Sequence, residues 1–225
     1  MDESRICYER FFGPAEEAAG KNFWPVGRSL TVSFLDGEPL VKAKVRYYAR
    51  KWMRHANIRF RFVSAVDPTA HIRISFLQNG SWSGLGTDAL NTAWFPEGEP
   101  TMNYGWLTPD SSSEEYSRVV LHEFGHSLGL IHEHQTPAGG IKWNRDAVIR
   151  DLSGPPNRWD IPTIEHNVLN RYSEPEVTQY TQFDPRSIML YAFPSHWTLD
   201  SMTFPSNTVL SDTDKSFIAG QYPRP

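Results

Sequence analysis

Four of the eight histidines in this 225-residue chain fall in one short stretch, LHEFGHSLGLIHEH at 121–134. If the stretch begins as a helix, His122 and His126 lie one turn apart and about 40° from each other in direction. Two imidazoles so placed can converge on one ion. Glu123 falls between them in angle, near enough to reach a water at that ion without becoming a ligand. That makes it a candidate general base. On a continued helix His132 would lie about 9 Å beyond His126, out of reach of the same ion. A third ligand at 132 therefore requires the helix to stop, and Gly129 is a residue that enters a left-handed turn at little cost. Three histidines leave a zinc ion one open position, which is the form of a catalytic site and not of a four-ligand structural one. The stretch thus predicts one Zn2+ on His122, His126 and His132. His134 follows His132 too closely to share its ion without an unusual backbone, and it is expected to be structural. His55, His71, His166 and His196 show no partner pattern and are expected to be structural too.

The residues around the stretch must supply its frame. TPDSSSEE, 108–115, offers an N-cap and first-turn acids, so the metal-bearing helix should run from about 113 to 128. RSLTVSFLDG, 28–37, alternates Leu30, Val32 and Phe34 with polar residues and closes on Asp36-Gly37, as a strand does. Pro39 opens a helix with Val41, Val45, Tyr48, Ala49 and Trp52 on one face. Residues 58–63 and 71–76 are two further alternating strands. Strand, helix, strand predicts a partly parallel sheet. Residues 81–86 and 101–106 are short strand candidates. Beyond the histidines the composition shifts to Pro, Asn and Asp, with short helices expected near 144–151 and 160–171. SDTDKSFIAGQY, 211–222, reads as a capped C-terminal helix. Residues 1–22 are charged, hold Gly-Pro at 13–14, and are expected to lie outside the main core.

Composition narrows the classes. Hydrophobic residues make up 39% and charged residues 21%, which fits a globular chain and not a disordered one. A formal charge of −4 without a long basic run argues against nucleic acid as the partner. No stretch approaches the ~18 apolar residues of a membrane span. Cys7 is the single cysteine, so no intramolecular disulfide can form. The N-terminal MDESRICYERFF lacks the basic start and apolar run of a signal peptide.

His122, Glu123, His126, Gly129 and His132 match every fixed position of His-Glu-x-x-His-x-x-Gly-x-x-His, and in this the chain resembles the metzincin metalloproteases. SIMLY, 187–191, is similar to the family's Met-turn, with Met189 as its methionine. Tyr191 resembles the tyrosine of the astacin and serralysin branches, where it is a further, displaceable zinc ligand. HEHQTP, 132–137, resembles astacins in placing Glu133 after the third histidine. The C-terminal SDTDKSFIAGQYP looks more like the matrixin ending, and the disulfides of astacins cannot form here.

The resemblance spans roughly residues 24–222 in order of elements and is specific at 122–134 and 187–191. It implies an α+β fold: a twisted mixed sheet with two long helices over 23–132, an irregular C-terminal subdomain over 133–225, and the active-site cleft between them. It implies a zinc-dependent endopeptidase acting on proteins or peptides, monomeric and secreted, with Glu123 and Tyr191 as its catalytic residues. An extended substrate would add to an edge strand at Ser81–Gly86, where Trp82 would be either a substrate contact or a buried anchor. Glu133 would meet the new N-terminus after removal of a propeptide, or form an ordinary salt bridge. Residues 1–22 would then be a prosegment, and Cys7 either its latency ligand on zinc or an inert thiol. Two rival readings are a zinc-binding scaffold without catalysis, against which Glu123 argues, and a peptidase that trims one terminus.

Overall fold

The computed structural model describes residues 7–9, 22–172 and 182–225. The rest of the segment expected at 1–22 lies outside these residues. The centre of the sheet is β2, Ser29–Phe34, whose Leu30, Val32 and Phe34 are buried as the alternation requires. It pairs in parallel with β3, Arg59–Phe62, and with β4, Ile72–Ser75, so that Val32 faces Phe62 on one side and Ile72 on the other. β4 pairs in parallel with β6, Met102–Tyr104, and β6 pairs antiparallel with β5, Ser81–Ser83. This is the mixed sheet and the helix-bearing α+β fold that the sequence predicts.

Three details depart from the sequence reading. The outermost strand is β1, Tyr8–Glu9, which runs parallel to β5 with Tyr8 opposite Trp82. Hence β5 is an inner strand and its outer edge is taken by the chain's own N-terminal segment. Cys7 is buried in the core instead of lying outside it. Trp82 is buried as an anchor of its strand, which is one of the two roles expected for it. A two-residue strand carries no periodic signal, so neither the edge nor its occupant could be read ahead. Arg73 departs as well. Its position in the alternation predicts a solvent-facing side chain, yet it is buried, because its guanidinium donates to the carbonyls of Ala70, Phe95, Pro96 and Glu99. A buried charge is tolerated only with such partners, and here it fixes the loop that leads into β6.

Two helices lie against the sheet. α1, Pro39–Ala49, starts with proline in its first turn and buries Val41, Val45, Tyr48 and Ala49 against α2. α2, Ser113–Ser127, is capped by the Ser112 hydroxyl, which accepts from Glu115 N at 3.1 Å, and Glu114 and Glu115 face its positive end. From Tyr116 to Ser127 every residue except Arg118 is buried, as befits a helix enclosed on all sides. Trp52, just beyond α1, donates its indole N–H to Leu121 O at 3.0 Å and ties the two helices.

The C-terminal part has less regular structure. α3, Arg145–Ser153, is capped by Asn144, and α4, Ile161–Ile164, by Asp160. α4 runs into a single π-helical turn, Glu165–Leu169, so the helix expected at 160–171 changes pitch midway. α5, Asp212–Gln221, begins with reciprocal capping by Ser211 and Asp214. Its Tyr222 hydroxyl accepts from Trp24 N and donates to Leu128 O at 2.8 Å. Trp24 donates its indole N–H to Ser127 O at 2.8 Å. Trp24 and Tyr222 thereby clamp the end of α2, where the histidine stretch turns.

Candidate active site

The turn after α2 is a Schellman motif. Leu130 N donates to Gly125 O and Gly129 N to His126 O, closing the helix's last carbonyls. Gly129 sits at φ +95°, and a β-carbon there would come within 2.8 Å of the Phe23 ring. Only glycine meets both conditions cheaply. The chain then returns, and His132 arrives beside the two helical histidines. His126 Nε2 lies 3.1 Å from His122 Nε2 and 3.0 Å from His132 Nε2.

All three rings are oriented from behind. His122 Nδ1 meets Ile188 O at 2.8 Å, His126 Nδ1 meets Leu130 O at 2.8 Å, and His132 Nδ1 meets Gln135 Oε1 at 3.0 Å. Each partner is an acceptor, so each Nδ1 carries the proton and each Nε2 presents a lone pair. Burial, reinforced by the neighbouring histidines, holds His122 and His132 well below the usual imidazole range, hence neutral. Lone pairs this close, with no imidazole proton between them, repel unless a cation lies among them. Their separations are close to the roughly 3.3 Å edge of a tetrahedron built on zinc–nitrogen bonds. Among the described residues these histidines form the one group of acids, thiols and imidazoles whose ligand atoms converge. The residues therefore fit a zinc ion.

Tyr191 brings its hydroxyl 2.6 Å from His132 Nε2, at the same point of convergence. It rides on the Met-turn, which is held by α5. Asp214 accepts from Ile188 N and from the Ser187 hydroxyl. Met189 packs beneath the histidines against Gly125, which has no side chain to exclude it. Met189 O also accepts from Glu133 N, joining the turn to the third histidine. Asp214, Gln135 and Gly125 were not singled out from sequence. Only Asp214 left a trace there, in the Ser-x-x-Asp cap of the last helix.

Glu123 is fully buried beside His122, and among the described residues no donor meets either carboxylate oxygen at hydrogen-bond geometry. Burial pushes it well above the usual carboxylate range, against the opposing pull of the Cys7 thiol and Arg118. Burial, with Glu123 next, likewise raises the Cys7 thiol well above its usual range. Cys7 thus bears on Glu123 and is not in the convergent histidine group. His134 is also apart from it. Its Nε2 donates to Asn167 O at 2.9 Å, and its ring stacks on His132 at 5.3 Å. Burial takes it down to about 4, so it is a neutral packing partner at ordinary pH. Glu133 accepts from Asp184 N at 2.7 Å, and burial pushes it up to about 7.

The matrixin family model matches residues 36–139. The solved structure of myroilysin superposes with a TM-score of 0.85 at 42% identity, over 92% of this chain and 98% of that one. Serralysin B of Dickeya chrysanthemi is 26% identical over 60% of this chain and 32% of its own length. Zinc metalloproteinase nas-24 of Caenorhabditis elegans is 27% identical over 74% of this chain and 35% of its own. The chain thus spans about a third of the length of these two curated relatives. Taken with the three convergent histidines, these likenesses place the chain among the metzincin zinc metalloendopeptidases, on their astacin-like side.

Proposed function

We propose that the family's zinc-dependent cleavage of internal peptide bonds is carried here by Glu123 and Tyr191, beside a zinc ion held by His122, His126 and His132. The observation that supports this most is the convergence of three neutral Nε2 lone pairs next to a carboxylate on the same helix. Bound zinc supplies Lewis acidity, which polarises a carbonyl and makes water easier to deprotonate. Glu123 takes the proton from the attacking water and delivers it to the nitrogen of the leaving amine. The Tyr191 hydroxyl donates to the carbonyl oxygen as charge develops on it. The backbone of β5 offers the edge along which an extended substrate pairs. The cleft lies between 23–132 and 133–225, and the chain acts as a secreted monomer.

The same reading makes residues 1–22 a prosegment. β1 occupies the edge of β5 that a substrate needs, and Cys7 lies among the groups that bear on the buried Glu123, whose carboxyl burial raises above its usual range. A general base must reach water, so opening the buried Glu123 to solvent is the activating event. Cys7 bears on the buried Glu123 electrostatically, so the latency contact we propose is with the base, with the zinc contact as its alternative.

Two comparisons test this. Limited proteolysis within residues 10–21, followed by incubation with a diverse peptide mixture, should release internal cuts that chelation abolishes. Cuts confined to chain ends would point to a terminus-trimming peptidase. The full-length Cys7→Ala variant should be more active than the full-length parent. Equal activity of the two, with no Zn–S contact, would remove the latency role of Cys7.

A further inference from the structure

Around the C-terminal end of α1, positive charge gathers that meets no carboxylate among the described residues. Arg46, Arg50, Lys51 and Arg54 line a shallow groove of about 330 Å3 with Ala43 and Tyr47. Among the described residues none of the four cations joins an ion pair, although the chain as a whole has a formal charge of −4. The groove shares no residue with the histidine site.

The cations are held in place by rings. The Arg46 guanidinium lies 4.8 Å over Phe34 and 5.8 Å over Phe62, and that of Arg50 lies 5.6 Å over Phe62. Lys51 Nζ lies 4.5 Å over Tyr48 and 5.7 Å over Tyr47. A guanidinium stacked by its face keeps its N–H edge free for a ligand and loses little freedom when it binds one. The crowding leaves an electrostatic mark. After burial, Arg54 lowers Lys51, and Lys215, Arg54 and Arg224 lower His55. A helix C-terminus favours a cation by only ~0.3–1 kcal/mol within its last turn, which does not account for four of them. A merely solubilising face intersperses both signs, and this one does not.

We propose that the groove is an exosite for an acidic segment of a polypeptide. Arg46 and Arg50 are offset by about 6 Å along the helix, and alternate residues of an extended peptide by about 6.6 Å. Carboxylates at alternate positions therefore meet successive guanidinia, each guanidinium able to donate two parallel hydrogen bonds to its carboxylate. Tyr47, 61% exposed, offers a ring to the aliphatic parts of the same side chains. Four cations match two or three carboxylates, a shorter track than a sulfated polysaccharide presents. Binding at the groove is independent of the catalytic reading; its use in capturing substrate rests on it.

The experiment uses the intact chain and a fluorescein-labelled peptide of alternating Glu and Ser, read by anisotropy. Saturable binding that weakens with added salt is expected, with affinity lower by about tenfold or more in Arg50→Glu/Arg54→Glu. Both side chains are exposed, so the melting temperature should be kept, and a salt titration of the parent gives a second measure. Equal affinity in the variant, no binding by the parent, or capture of dextran sulfate in place of the peptide would overturn the proposal. After proteolysis within residues 10–21, a Glu-Ser tail on a cleavable peptide should lower KM in the parent and not in the variant, with kcat unchanged. Tail-dependent binding without cleavage of any peptide would remove the catalytic reading and leave the groove standing.

Discussion

Met189 Sδ occupies the space that a β-carbon on residue 125 would need. The methionine of the turn and the glycine of the metal-bearing helix are therefore one fitted pair, and the floor under His122 and His126 depends on both. Gly125→Ala gains about 1 kcal/mol in helix propensity but overpacks the contact by about 1–3 kcal/mol. We expect a net loss of stability in denaturant titrations and lower zinc content. Adding Met189→Ala should restore part of the loss that Gly125→Ala causes, as a coupled pair does. Additive losses would show that the two residues act separately.

The Tyr191 hydroxyl is 2.6 Å from His132 Nε2, but His132 is oriented by Gln135 and not by the tyrosine. Tyr191→Phe should therefore keep one zinc per chain and lose turnover by about 10²-fold, the usual cost of one oxyanion donor. Metal analysis and kcat on a single peptide check the two halves separately. Unchanged turnover would remove the catalytic role of the tyrosine.

Gln135 holds His132 with its oxygen and reaches the carbonyls of His166 and Asn170 with its nitrogen. In Gln135→Leu the Nδ1 proton of His132 loses its acceptor. Zinc affinity should fall by about 10–100-fold, as it does when other outer partners of metal ligands are removed. Competition with a chromogenic chelator measures it.

Glu133 is pushed up to about 7 in the folded chain, against about 4.3 in an unfolded one. An acid whose folded pKa is raised weakens the fold as pH climbs from its unfolded to its folded value. The loss is complete just above pH 7. Glu133→Gln can still accept from Asp184 N and carries no charge. Relative to the parent it should be no more stable at pH 4 and more stable at pH 8, by about 1–3 kcal/mol. Denaturation at both pH values with saturating zinc checks the difference.

The frame of the site was legible because its signals are local and repeated. β2, β3 and β4 follow their alternation, α1 buries the predicted face, and α2 starts and stops at its cap and its glycine. The His122, His126 and His132 constellation was legible because its spacing is dictated by helix geometry. What escaped reading acts over long separations. Asp214 reaches back to the Met-turn, Gln135 to the π-helical turn, and Cys7 into a core built by distant elements. Such contacts are single hydrogen bonds or packings whose partners leave no period in the chain. The C-terminal part is built mostly of them, so its short helices were placed but its ties were not.

The central claim is that a three-histidine zinc site works through Glu123. Its most direct test is Glu123→Gln in a chain cut within residues 10–21, with bound zinc and cleavage of an internal peptide bond measured on the same sample. The account predicts one zinc per chain, as in the parent, with cleavage lowered by about 10²-fold or more, the range general acid–base catalysis supplies. Parent-like cleavage by a zinc-loaded Glu123→Gln protein would contradict it.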